Sequence, residues 1–144
     1  MDLNPLLGPV VALVAWTIIV LLWFAALLFA SLGKMDKSNP PPTGARVRDI
    51  AGLPNSIQWK NHNYMHLLEQ PTIFYAIVFA LILMGDTRPL NLYAAWGYVG
   101  IRIAHSLVQT TVNDVKIRLP LFLLSTLCLA VLAVHASITA IYHL

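Results

Sequence analysis

The sequence predicts an all-α integral membrane protein, a single four-helix bundle over residues 1–144. Three observations carry this. Of 144 residues, 58% are hydrophobic and 10% charged, against about 45–50% and about 25% in a soluble domain. A soluble domain of this size has too much surface to cover with so few charges. The apolar residues gather in four stretches, each near the ~20 residues that cross a hydrocarbon core. The charged residues fall mostly between those stretches, and no stretch alternates as a barrel strand would.

The first helix is expected over about 5–32, which holds no charged residue. Its apolar run is too long for a signal peptide, no basic region precedes it and no small-residue cleavage site closes it. The second is expected over about 62–84, bent at Pro71, the third over about 90–112 and the fourth over about 119–142. Pro5, Pro89 and Pro120 fall near helix starts, where a missing N–H costs little. Gly97 and Gly100 are expected to let helices approach closely. Trp16 and Trp23 fall nearer mid-helix than an interfacial belt requires and are expected to face a partner. The lone Cys128 reads as a small buried hydrophobe.

The longest connection, about Gly33 to Trp59, contains Asn39-Pro40-Pro41-Pro42-Thr43-Gly44, which must be extended or turning. The two remaining loops are short, which makes neighbouring helices antiparallel. Lys34, Lys37, Arg46, Arg48, Lys60, Lys116 and Arg118 lie in or beside the first and third loops, and the second loop holds only Arg88. By the positive-inside rule the first and third loops are cytoplasmic and both termini lie outside. The net charge of +3 does not point to nucleic acid, because the basic residues form no single stripe with interleaved aromatics.

Ionisable groups within a membrane are costly and mark functional sites by default. Two stand out, Glu69 in the second helix and Arg102 in the third, at similar depth from the cytoplasmic side. Pairing between them, directly, through a ligand or across subunits, is expected. His62, His66 and Glu69 share one helical face, and Arg102, His105, Ser106, Gln109 and Asn113 share another. Both stripes run towards Lys60, Lys116 and Arg118, so together they describe a polar pocket with a basic rim, suited to a small anionic ligand. The bland reading is that these groups fix helix register and hydrogen-bond across interfaces. The number of polar groups favours a site. His135, alone in the fourth helix, reads as a satisfied interface histidine. No metal is expected: His62-Asn63-Tyr64-Met65-His66 lacks the Glu of H-E-x-x-H.

The stretches His66-Leu67-Leu68-Glu69-Gln70-Pro71-Thr72-Ile73-Phe74 and Ala95-Trp96-Gly97-Tyr98-Val99-Gly100-Ile101-Arg102-Ile103-Ala104-His105-Ser106, with Arg118-Leu119-Pro120, resemble MAPEG, the membrane-associated proteins in eicosanoid and glutathione metabolism. The chain looks most like bacterial members, which implies a bacterial inner membrane. The resemblance implies a homotrimer with sites between subunits near the cytoplasmic side. Transferase members bind glutathione there and add its thiolate to a lipophilic electrophile, or use it on a peroxide. Carried over by position, Arg118 stabilises the thiolate and Glu69 holds the glutathione amino group. His62, His66, Arg102, His105 and Gln109 complete the glutathione-binding set. Three positions depart from the transferase pattern. His62 stands where an Arg is common, His66 where an Asn is, and Gln109 where a Tyr is. Gln cannot ionise, though it can donate a hydrogen bond.

The expected function is therefore a glutathione-dependent transferase or peroxidase acting on lipophilic small molecules in a lipid environment. The alternative is a non-catalytic protein that binds lipid or a small anionic ligand. A small proton-coupled transporter fits less well, because the first helix holds no ionisable group.

Overall fold

The computed structural model describes residues 3–35, 38 and 40–142. Lys37 and Asn39, read above as part of the first loop, lie outside the described residues. Four long helices run in sequence: α1 Leu7–Leu32, α2 Asn55–Leu83, α3 Pro89–Thr111 and α4 Val115–Tyr142. A short 3-10 turn, Val47–Asp49, lies between α1 and α2. Helices α2 and α3 form the middle of the bundle. α1 packs on both of them, α4 packs on both from the other side, and the α3–α4 contact is the most extensive.

Helices α1, α2 and α4 are long and apolar enough to cross a membrane. α3 is less apolar than these three over its most apolar stretch. Its 23 residues reach about 34 Å at 1.5 Å each, but its buried face carries Asn91, Arg102, His105, Ser106, Gln109 and Thr110. The other helices shield that polar face, so α3 can lie in a bilayer without being apolar throughout.

Two helices begin earlier than expected. α2 starts at Asn55, not near His62, because its first two turns are polar and a hydropathy reading passes over them. They are held by packing: Ile57 is buried with Phe24 of α1 and Leu53 of the loop, and Val47 and Ile50 close over them. α4 starts at Val115, not near Leu119, so Pro120 lies inside the helix. Pro71 lies inside α2 as expected. α3 ends in a left-handed residue, Asn113 at φ 55°, whose N–H returns to the Val108 carbonyl at 2.7 Å. Asn tolerates that conformation better than most residues.

The apolar core runs along the bundle through Leu13, Val20, Phe74, Val78, Tyr98 and Leu132, all fully buried. Phe74 and Tyr98 stack with ring centroids 4.5 Å apart. Gly97 allows close packing as expected: a Cβ there would lie 3.4 Å from Cys128 Sγ. Gly100 does not, for a Cβ there would meet nothing within 4 Å.

Candidate functional site

The two polar stripes fold to different places. The α3 stripe turns inwards. Arg102, His105, Ser106 and Gln109 are all buried, Arg102 at 2% exposure. The α2 stripe turns outwards. The side chains of His66 and Glu69 are 43% and 63% exposed, and their ion pair spans 2.9 Å. His62 is also exposed. α2 thus divides its polar residues between two faces, with Asn63 buried and the histidines at the surface.

The expected direct pair between Glu69 and Arg102 does not form. Glu69 takes His66 as its partner. Arg102 reaches only the backbone of α2, donating from Nη2 to the His66 carbonyl at 3.0 Å. Its guanidinium lies 6.0 Å from the Tyr98 ring centre and 5.7 Å from that of Phe122. Its Nε and Nη1 have no hydrogen-bond partner. The divergence follows from register: three residues along α2, His66 and Glu69 meet each other on the outer face, while Arg102 points to the junction of α2, α3 and α4.

Further along α3 towards its C-terminal end, the His105 and Phe122 ring centroids lie 6.4 Å apart. Gln109 is buried with its Oε1 unpartnered. Arg118, one turn before Phe122 on α4, is half-buried. Its Nη1 donates to Asn113 Oδ1 at 2.6 Å, which fixes it against the end of α3. Its Nε is unpartnered. The structure therefore gathers Arg102, His105, Gln109 and Arg118 along one seam, and leaves His62, His66 and Glu69 on the neighbouring surface. An apolar cavity of about 270 Å³ lies between α1 and α2, lined by Ile18, Leu21, Leu68 and Tyr75 among others. Leu68 is the sequence neighbour of Glu69.

Several buried polar groups escaped the sequence reading. Asn63 and Trp16 both donate to Ser106 Oγ, at 2.6 and 2.9 Å, so Ser106 ties three helices together. Trp16 does face a partner, as its mid-helix position implied. Lys60 is buried and reaches the Ser56 and Thr110 carbonyls at 3.2 and 3.4 Å. It also lies 4.5 Å from the Trp23 ring centre. Gln70 donates to Thr126 Oγ1 at 3.0 Å and accepts from the Tyr98 hydroxyl at 3.4 Å. A signal for Asn63 and Gln70 exists in hindsight. They follow the same seven-residue spacing as His62 and Glu69, one position on, and so mark a second polar line on α2.

The opposite end of the bundle is closed by a separate network. Asp86, at 7% exposure, pairs with Arg88 and accepts from Asn91 Nδ2 at 2.9 Å. Because the carboxylate claims the Asn91 NH₂ group, Asn91 turns its oxygen to His135 Nδ1 at 2.6 Å, and His135 must donate there. Arg88 continues to Thr139 of α4 at 2.5 Å, and Asn4 donates to the Asp86 carbonyl at 3.2 Å. His135 is the satisfied interface histidine the sequence implied. Burial acts to raise the Asp86 pKa, but hydrogen bonds from Arg88 and Asn91, with the Arg88 charge, outweigh it and hold the carboxyl below its ordinary value.

No curated protein and no solved structure matches the chain. The MAPEG family model matches residues 6–138, which spans all four helices and both polar stripes. A four-helix membrane bundle with its buried arginine on α3, matched over nearly its whole length, belongs to the MAPEG family.

Proposed function

We propose that this MAPEG protein is a glutathione-dependent transferase or peroxidase acting on lipophilic electrophiles, working as a homotrimer in a bacterial inner membrane with both termini outside the cytoplasm. The observation that carries the reading is the surplus of cationic donors at the cytoplasmic half of the α3–α4 seam. Arg102 and Arg118 hold unpartnered N–H groups, and neither has a carboxylate among its hydrogen-bond partners. Glutathione brings two carboxylates and a thiol that must become a thiolate. A thiol pKa near 8.5 falls beside a fixed positive group. Arg118, held by Asn113 and half-exposed, is the group available to do this.

The accessible residues make the direct contacts in this reading. Glu69 takes the glutathione ammonium, with His62 and His66 beside it, and Arg118 takes the sulfur. Arg102, His105 and Gln109 lie inside the protomer, where Arg102 contributes its charge to the field at the site and the others support it. The apolar cavity beside Leu68 suits the lipophilic partner, which reaches it from the lipid.

Calorimetry of detergent-purified protein with glutathione tests the reading. Thermal shift is an independent check, since a ligand at 100 times its Kd stabilises by about 2.7 kcal/mol. Bound glutathione should show thiolate absorbance below its solution pKa, and Arg118→Ala should remove that signal while retaining binding. Binding without thiolate supports the second reading, a non-catalytic protein for lipid or a small anionic ligand. Gln109, which cannot ionise, is the observation that favours it. Absence of binding removes both glutathione assignments.

A further inference from the structure

The connection between α1 and α2 folds back onto the bundle as a cap. Val47 and Ile50 pack with Leu53 against Phe24, Leu27 and Leu28 of α1 and Ile57 of α2. Arg46 and Arg48, on either side of Val47, are left exposed. The cap has a defined shape: Asp49 accepts from the Arg46 backbone N–H at 3.2 Å and pairs with Arg48 Nε at 3.5 Å, and Gly52 turns the chain at φ 82°. A cavity of about 670 Å³ opens between the cap and the end of α1, lined by Ser31, Lys34, Met35, Asp49, Ile50 and Pro54 among others.

The helices give the depth of the cap. Asn4 donates to the Asp86 carbonyl, which holds the start of α1 and the end of α2 at one level. At 1.5 Å per residue, Phe24 lies about 26 Å along α1 from Leu7, and Ile57 about 39 Å along α2 from Leu83. A hydrocarbon core is about 30 Å thick, and the bilayer with its headgroups about 40–45 Å. The two distances bracket the far edge of the hydrocarbon. The cap, packed on both residues, therefore lies at the boundary between acyl chains and headgroups, with its apolar side turned to the bundle.

Charge selects the occupant. Among the described residues from Ser31 to Pro54 the cations are Lys34, Arg46 and Arg48, and the acid is Asp49. Asp49 is already engaged by the cap itself, and no described carboxylate pairs with Lys34 or Arg46. At the other end of the bundle, by contrast, Arg88 is paired with buried Asp86. Basic residues at the membrane surface attract anionic lipid, and a zwitterionic headgroup brings its own cation and gains little. We propose that the cap of residues 46–54, with Lys34 across the cavity from it, binds the phosphate headgroup of an anionic phospholipid. The site is distinct from the α2 face that carries His66 and Glu69 and from the α3–α4 seam, and it needs no glutathione.

Electron spin resonance with spin-labelled lipids tests this on ligand-free protein in phosphatidylcholine bilayers. Labelled phosphatidylglycerol should associate with the protein several-fold more strongly than labelled phosphatidylcholine. The double variant Arg46→Gln with Arg48→Gln should remove most of that preference. Lys116, exposed at the same end of the bundle but on α4, is the control. Lys116→Gln should take away less than Arg46→Gln alone, although each removes one charge. Equal losses mean diffuse attraction to the whole basic end and overturn the cap as the site. Equal association of the two lipids with wild type overturns the proposal without any variant. Displacement of the labelled phosphatidylglycerol by millimolar glycerol phosphate means that a free anion suffices, and overturns the lipid assignment. No thiol is present, so failure here and failure of the glutathione reading are separately visible.

Discussion

At the scale of single residues, Arg102 behaves differently from a member of a buried ion pair. Removing one partner of such a pair costs about 3–5 kcal/mol, because the other charge is left uncompensated. Arg102 has one hydrogen bond, to the His66 carbonyl, worth about 1 kcal/mol net, and no carboxylate bound to it. Arg102→Met, which keeps the length and removes the charge, should therefore change detergent thermal stability by only about 1 kcal/mol. A loss several times larger would show that Glu69 or another acid pairs with Arg102 in solution. Asp86 is the opposite case. Its folded pKa is depressed, so its stabilisation is complete above the unfolded value near 3.9 and is lost as pH falls through the folded value. Asp86→Asn should lower the melting temperature at neutral pH and flatten the decline seen on acidification below about pH 4. Identical acid slopes for variant and wild type would remove Asp86 from the acid transition.

At the scale of elements, the two glycines of α3 make a paired prediction. Gly97→Leu forces atoms beyond a Cβ already 3.4 Å from Cys128 Sγ, and overpacking costs typically about 1–3 kcal/mol. Gly100→Ala meets nothing within 4 Å and gains up to about 1 kcal/mol of helix propensity. Thermal unfolding of both variants checks this, and a loss at Gly100 equal to that at Gly97 would mean that another surface covers Gly100. The sequence made the helices legible because a bilayer demands long apolar runs, and α1 is one without interruption. It misplaced the start of α2 because Asn55–Asn61 is polar and is held by Ile57 packing against Phe24 and Leu53, a contact between distant segments that periodicity cannot express. The candidate site was legible by residue type and spacing. Its division was not, since spacing says which residues share a face of one helix and not what that face meets. Glu69 and Arg102 have matching depth but different azimuth, and only packing reveals the latter. Lys60 was missed as a buried group because a lysine at a helix end reads as solvated, whereas here Trp23 and two carbonyls enclose it.

At the scale of the whole molecule, a single protomer carries a polar pair on the outer surface of a membrane helix. Glu69 sits at the midpoint of α2, and its side chain is 63% exposed, with His66 beside it at 43%. An acidic residue within a membrane helix is costly, up to about 2.5–3.5 kcal/mol at the helix centre on the insertion scale. Pairing with a half-exposed histidine relieves only part of that. Interior or interfacial placement is the usual resolution, and the described residues of one protomer offer no second helix over this face, since α3 takes the other side of α2. In the homotrimer proposed above, a further copy of the chain would supply the cover. Native mass spectrometry from mild detergent should give a mass three times that of the 15.9 kDa chain. The combined variant His66→Leu with Glu69→Leu should dissociate at lower detergent concentration than wild type, because an apolar face tolerates lipid and the polar face does not. Circular dichroism on the dissociated variant should retain its helix content, because neither side chain belongs to the apolar core. A wild-type protein that is monomeric and fully folded in nanodiscs would show that lipid or water covers Glu69 instead. A double variant with unchanged dissociation would place the contact between copies elsewhere on the bundle.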